Sequence, residues 1–109
     1  MPLWLNAANA VLVTSDYEGF GMAAVEALAC EVPVLSTPVG VAPYALAGIA
    51  GCLCAPFDIA SWSATARPHL EARDPRVAAT ARAATLSAAR MAERVIEAYR
   101  DVAGIPVLD

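Results

Sequence analysis

The sequence predicts an α/β fold with about three parallel strands and helices closing its C-terminal side, and three observations predict it. Two short apolar runs rich in β-branched residues, Asn9 to Thr14 and Val32 to Thr37, have polar or turn residues at their ends, the pattern of strands buried on both faces of a parallel sheet. Between them, Met22 to Cys30 is mostly Ala, Leu, Met and Glu, residues of high helix propensity. Together they make a strand, loop, helix, strand unit of roughly 30 residues, the size of a right-handed crossover joining parallel neighbours.

Ser15 to Gly21 is then the loop at the carboxyl end of the first strand. In open parallel sheets, ligands bind beyond the carboxyl ends of the strands, where the following helix also directs its free amides and the positive end of its dipole. Gly19 and Gly21 allow a close backbone approach or a positive φ in this loop. Glu18, beside them, is placed to accept hydrogen bonds from sugar hydroxyls. Glu26, eight positions later, lies about five residues into the helix, ~7.5 Å along its axis, and reaches a ligand lying along the crevice. A diphosphate at the helix start would leave a hexose on one side and a ribose on the other. The plainer alternative makes Glu18 a solvated loop charge and Glu26 part of the polar face of an amphipathic helix.

Gly51 to Ala55 reads as a third strand with Cys52 and Cys54 on one face. From Pro75 to Val102 the pattern is helical, with Ala dominant and an apolar stripe at Met91, Val95, Tyr99 and Val102. Glu93 with Arg94, and Glu97 with Arg100, read as solvated pairs. Residues 104–109 read as a flexible tail.

The run from Ser15 to Cys30, with Glu18-Gly19-Phe20-Gly21-Met22 and Glu26, followed by Val32 to Thr37, resembles the signature of the GT-B retaining glycosyltransferases of family 4, the group 1 glycosyl transferases, with their E-x7-E pattern. The resemblance extends to about Asp101. It implies a partial Rossmann-like domain, residues 1–103, that is the donor-binding portion of a GT-B enzyme. The implied reaction transfers a hexose from a UDP- or GDP-sugar with retention of configuration, using neither metal nor organic cofactor. Carried over by motif, Glu18 is the implied catalytic and hexose-contacting carboxylate. The backbone at Gly19, Phe20, Gly21 and Met22 holds the hexose hydroxyls and phosphate, and Glu26 takes the ribose hydroxyls. Asp58 begins a segment similar to the family's post-strand helix, Asp74-Pro75 one similar to another helix start, and Met91 to Arg100 one similar to the closing helix, which packs back toward the N-terminal domain. A peripheral membrane contact of the complete enzyme is a further expectation.

Several positions depart from the family pattern. The usual paired-glycine turn and Pro-Glu helix start read here as Pro38-Val39-Gly40-Val41-Ala42-Pro43-Tyr44: Val41 stands for the second glycine and Tyr44 for the glutamate, so an altered phosphate-side loop is expected. Glu31 replaces the glycine that ends the first helix, which puts a carboxylate at the negative end of the dipole, unfavourable by up to ~1 kcal/mol. Pro68 is expected to kink or end its helix near Arg67, leaving His69 as a half-exposed helix-start residue.

At 109 residues the chain holds one domain at most and is too short for a two-domain transferase. The N-terminal domain, the leading strands and the Arg and Lys that the family uses on the diphosphate are expected outside it, since the first basic residue is Arg67. Transfer by this length alone is therefore not expected. The other functional class open to it is a non-catalytic binding or assembly module of the same fold. The strand Asn9 to Thr14 would present an open edge, so a homo-oligomer, or pairing with the missing domain, is expected.

The net charge of −4 argues against nucleic acid, which demands a basic face. No charge falls between Val32 and Phe57, but Pro33, Pro38, Gly40, Pro43, Gly48, Gly51 and Pro56 punctuate the stretch, which suits buried strands and turns rather than a membrane helix. The three cysteines read as buried apolar residues, because a lone C-x-C is no zinc signature. Their odd number and the absence of a charged n-region fit a cytoplasmic location. With a single histidine, no Ser or Cys triad can be assembled.

Overall fold

A computed structural model describes residues 2–104 and 106 of the chain. Helix α1 (Pro2–Ala7) leads into β1 (Val11–Val13), followed by α2 (Met22–Ala29), β2 (Val34–Ser36), α3 (Ala42–Ala45), β3 (Leu53–Cys54), α4 (Ile59–Glu71), α5 (Thr80–Ala84) and α6 (Ala88–Ala103). The three strands form one parallel sheet in the order β1-β2-β3. Val11 pairs with Val34 and Val13 with Ser36, while Leu35 pairs with Leu53. The expected α/β architecture is therefore observed, with shorter strands than the apolar runs suggested, since only their centres carry the ladder.

Strand alternation sorts the two faces. Val13 and Val34 turn into a core with Ala24, Ala27 and Leu28 of α2, Ala45 of α3 and Ala83 of α5. Leu28, Val32, Val34 and Leu35 are fully buried. On the opposite face α4 contributes Trp62, which is 4% exposed and donates its indole N–H to the Pro56 carbonyl at 3.2 Å. Leu12 of β1 shares that face beside Trp62 and Phe57 yet is 57% exposed, because β1 is an edge strand that α4 leaves partly uncovered.

Helix α2 ends in a Schellman turn: Val32 N–H donates to Ala27 O at 2.9 Å and Glu31 N–H to Leu28 O at 2.9 Å. Glu31 occupies the left-handed position normally held by glycine, with φ 59°. Its carboxylate accepts the Thr80 hydroxyl at 2.7 Å, and its carbonyl accepts Val77 N–H at 2.9 Å. The turn thus survives a non-glycine residue because α5 and the segment before it hold Glu31 at both ends.

Four expectations need correction. The pattern from Pro75 to Val102 is not one helical stretch, and no helix opens at Asp74-Pro75. Residues 72–79 are irregular because their polar and apolar groups are committed elsewhere: Arg76 donates to the Asn6 and Ala8 carbonyls, and Val77 and Ala79 are buried. Pro68 does not end its helix at Arg67. Helix α4 runs to Glu71 with Pro68 inside it, at the loss of one helical amide donor. His69 accordingly sits near the end of that helix. Its Nε2 lies 2.7 Å from the Gly51 carbonyl, and its own carbonyl accepts the Asn9 amide at 2.9 Å. Finally, Cys30, Cys52 and Cys54 are half-buried free thiols, not fully buried ones. Burial pushes the Cys52 and Cys54 thiols above their usual range, although the Val34 amide pulls Cys52 partly back.

Helix α1 had no counterpart in the sequence reading. Helix α6 buries none of its residues, and the ion pair on its surface is Arg90–Glu93. Of the tail, Ile105, Val107, Leu108 and Asp109 lie outside the described residues. Among the described residues no helix is long and apolar enough to cross a membrane.

Candidate functional site

Two loops meet beyond the carboxyl ends of β1 and β2. Thr37, just past β2, donates its amide to Val13 O at 3.0 Å and its hydroxyl to Ser15 O at 2.6 Å, which ties the second loop to the start of the first. Ser15 in turn donates its hydroxyl to Glu18 Oε1 at 2.8 Å. Farther along, Val41 N–H donates to Phe20 O at 2.7 Å. Gly40 passes so close to this backbone that a Cβ there would lie 2.8 Å from the Phe20 carbonyl carbon and 3.1 Å from Glu18 Cβ. The two loops therefore act as one body that holds Glu18 half-buried, with one carboxylate oxygen engaged by Ser15.

Gly21 closes the first loop in the left-handed conformation, φ 94° and ψ 49°, and starts α2. No side chain caps this helix and no acidic residue stands in its first turn, so the amide groups of Met22 and Ala23 are open to an anion. Phe20 and Met22 are both about half exposed, and Tyr17 is 84% exposed, which frames this helix start with apolar and aromatic surface.

Glu18, Gly19, Phe20, Gly21 and Met22 are consecutive and lie beyond the carboxyl end of β1, at the start of α2. Glu26 is not brought into the same cluster. It is half-buried on the flank of α2 facing α1, where it lines a cleft of about 290 Å³ with Pro2, Leu5 and Ala29. Its carboxylate has no hydrogen-bond partner among the described residues. A second cleft, of about 650 Å³ and bordered by Pro38, Pro43, Leu46, Ile49, Cys52 and Cys54, opens between α3 and β3 and contains neither glutamate.

Val41, in the place of a glycine, has φ −82° and needs no glycine. The positive φ of this turn falls instead on Gly40, at 53°. Tyr44 turns toward α5: its hydroxyl is 3.2 Å from Thr85 Oγ1, and the Arg82 guanidinium stacks 5.2 Å from its ring centre. Sequence reasoning gave no part to Ser15, Thr37 or Gly40. All three stood in the quoted runs, but only the fold reveals that their partners are carbonyls and a carboxylate from the neighbouring loop. Asp58 opens α4 as anticipated, accepting the Ala60 and Ser61 amides at 3.2 and 3.1 Å.

A parallel α/β sheet with glycine-bracketed loops at its carboxyl edge and an uncapped helix start places the chain among the open, partly Rossmann-like α/β domains. The sequence model described as "Glycosyl transferases group 1" matches residues 1–86, most of the chain, and the protein belongs to that family. It is 43% identical over 84 residues to a D-inositol 3-phosphate glycosyltransferase of Mycobacterium avium, an alignment covering 76% of this chain and 20% of the relative. Proteins with the same description from Mycolicibacterium smegmatis (44% over 85 residues, 77% of this chain, 19% of the relative) and Frankia alni (38% over 103 residues, 89% of this chain, 25% of the relative) are similar to it as well. The chain spans about a fifth to a quarter of the length of these relatives.

Proposed function

We propose that this chain supplies the donor-binding side of a glycosyltransferase, taking the nucleoside diphosphate sugar at the interlocked loops after β1 and β2. The observation that carries the reading is the placement of Glu18, half-buried and oriented by Ser15, beside the open amides at the start of α2. A diphosphate is the chemical complement of those amides and of the helix dipole. Glu18 then faces the hexose. Glu26, one to two turns along the same helix, lies where a ribose directed toward α1 would meet it.

In the complete enzyme the domain transfers a hexosyl group with retention. As the bond to phosphate breaks, the sugar ring flattens and gains positive charge, and a carboxylate at Glu18 stabilises that state more than the ground state. The departing diphosphate is stabilised by the amides of Met22 and Ala23. UDP- and GDP-sugars are the donor class.

Calorimetry with UDP, GDP and their sugars tests the site on this chain, and single-turnover measurements on a complete enzyme carrying the segment test the roles. Glu26→Ala removes interactions present in ground and transition states alike. It should weaken nucleoside diphosphate and donor together, by at most ~1.5–3 kcal/mol for each charge-assisted bond lost. Glu18→Ala should depress turnover more than nucleotide affinity. Loss of nucleotide binding in Glu18→Ala with retention in Glu26→Ala would overturn the assignment.

A further inference from the structure

All the arginines of the chain follow the three strands in sequence, yet one of them is carried back to the loops beyond the sheet. Arg82 of α5 reaches α3, where its guanidinium donates to the Tyr44 carbonyl and stacks 5.2 Å from the centre of the Tyr44 ring. The Thr85 hydroxyl donates to the Arg82 carbonyl at 2.6 Å. With its one proton so used, Thr85 accepts from the Tyr44 hydroxyl, 3.2 Å away. Arg82, Tyr44 and Thr85 thus close a ring of contacts between the two helices.

Helix α3 depends on such a tie. It is four residues long, too short to hold its own shape, and its last carbonyls have no further turn to bond. A cation there satisfies a carbonyl at the negative end of the helix. Helix α5 is itself anchored: Ala83 is buried in the core with Ala24, Ala27 and Leu28 of α2, and Thr80 is bonded to Glu31 at the end of α2.

What α3 carries is one wall of the donor loops. Val41, its N-cap, accepts the Tyr44 and Ala45 amides at 3.0 and 2.8 Å and donates its own amide to Phe20 O at 2.7 Å. Its N and Cγ1 stand 4.0 Å from the place of a Cβ on Gly21, the residue that starts α2. Any rotation of α3 is therefore passed, through this single residue, to the Phe20 carbonyl and to the open amides after Gly21.

We propose that Arg82 is a positioning residue of the donor site: through Tyr44 it fixes α3 on α5, and so fixes Val41 against Phe20 and Gly21. The role rests on the reading of these loops as the nucleoside diphosphate site.

The test uses the full chain well below its melting temperature, with circular dichroism to confirm that each variant is folded. Arg82→Met keeps the stem and removes the charge and the donors. In the ligand-free protein it should shift the amide resonances of Val41, Gly21 and Met22. By calorimetry it should weaken UDP and GDP together by about tenfold. Arg82→Lys, which keeps the charge without the planar fork, should recover to within about threefold of wild type. Tyr44→Leu should weaken binding less than Arg82→Met, because the Tyr44 carbonyl remains, and the double variant should match Arg82→Met within about twofold, since both act through one contact. Arg90→Met, which breaks the exposed pair with Glu93 on α6, should leave resonances and affinity alone. A purely structural Arg82 would lower the melting temperature without moving the Gly21 and Met22 resonances or the affinity of the folded chain, and that result overturns the proposal. Additive losses in the double variant overturn it too. If wild type binds neither nucleotide, the donor reading fails, and the clamp is then upheld or overturned by the Gly21 and Met22 resonances.

Discussion

Replacing Gly40 with alanine tests whether the two loops at the carboxyl edge act as one body. Two costs add. Gly40 has φ 53°, and a Cβ in the left-handed region costs roughly 1–2 kcal/mol. That Cβ would also overlap the Phe20 carbonyl oxygen and lie 2.8 Å from its carbon. The obstacle is backbone, which cannot rotate aside, so the loops must separate and stretch the 2.7 Å bond from Val41 N–H to Phe20 O. A hydrogen bond of this kind contributes about 1 kcal/mol, and displacement of Glu18 Cβ, 3.1 Å away, adds to it. The total expected is about 2–4 kcal/mol.

Gly48 is the matched control: its φ is 70°, yet nothing lies within 4 Å of a Cβ placed there. Gly48→Ala therefore carries the backbone strain alone, about 1–2 kcal/mol. The stiffening of the unfolded chain by alanine is common to both and cancels. Urea unfolding followed by fluorescence of the buried Trp62 measures both variants. Gly40→Ala should be the less stable by at least about 1 kcal/mol, or ~4 °C in melting temperature for a domain of this size. It should also lose nucleoside diphosphate binding that Gly48→Ala keeps. Equal losses of stability, or intact binding in Gly40→Ala, would show that Gly40 does not lock the donor loop.

Val41→Gly, which puts a glycine where the resemblance implies one, should destabilise the chain by about 1–2 kcal/mol in the same urea assay. Val41 already has φ −82° and packs against the core, so glycine there only adds unfolded-state freedom and removes contacts. Asp58 should make the stability pH-dependent in acid. Its carboxyl is held below the usual aspartate range by the Ser61 side chain and by the Ser61 and Ala60 amides, so its contribution is complete above about pH 3.9 and is lost as pH falls through the lower folded value. The difference in melting temperature between wild type and Asp58→Asn should shrink between pH 5 and pH 2.5, and a constant difference would contradict the cap.

The sequence alone determined the parallel sheet, the loop that carries Glu18 and the helix that follows, because these depend on local order: β-branched runs, a glycine-bracketed turn and a stretch of strong helix formers. A helix beginning at Asp58 was expected from the family resemblance alone, and its cap on the Ala60 and Ser61 amides emerged only in the structure. Tertiary structure decided the rest, because each remaining outcome depends on groups distant in the chain. Thr37 and Gly40 gained their parts only when β2 was laid beside β1, which turned their hydroxyl and bare Cα toward Ser15 and Phe20. Residues 74–79 lost their helical promise to Arg76, whose guanidinium donates to the Asn6 carbonyl of α1 and to that of Ala8 just after it, and α4 kept Pro68 while its last turn was held through His69 by Gly51 and Asn9. Glu31 entered the left-handed region because Thr80 and Val77 hold it there. Helical periodicity likewise marked the stripe on α6 but not its exposure, because periodicity records which residues share a face and not what covers that face.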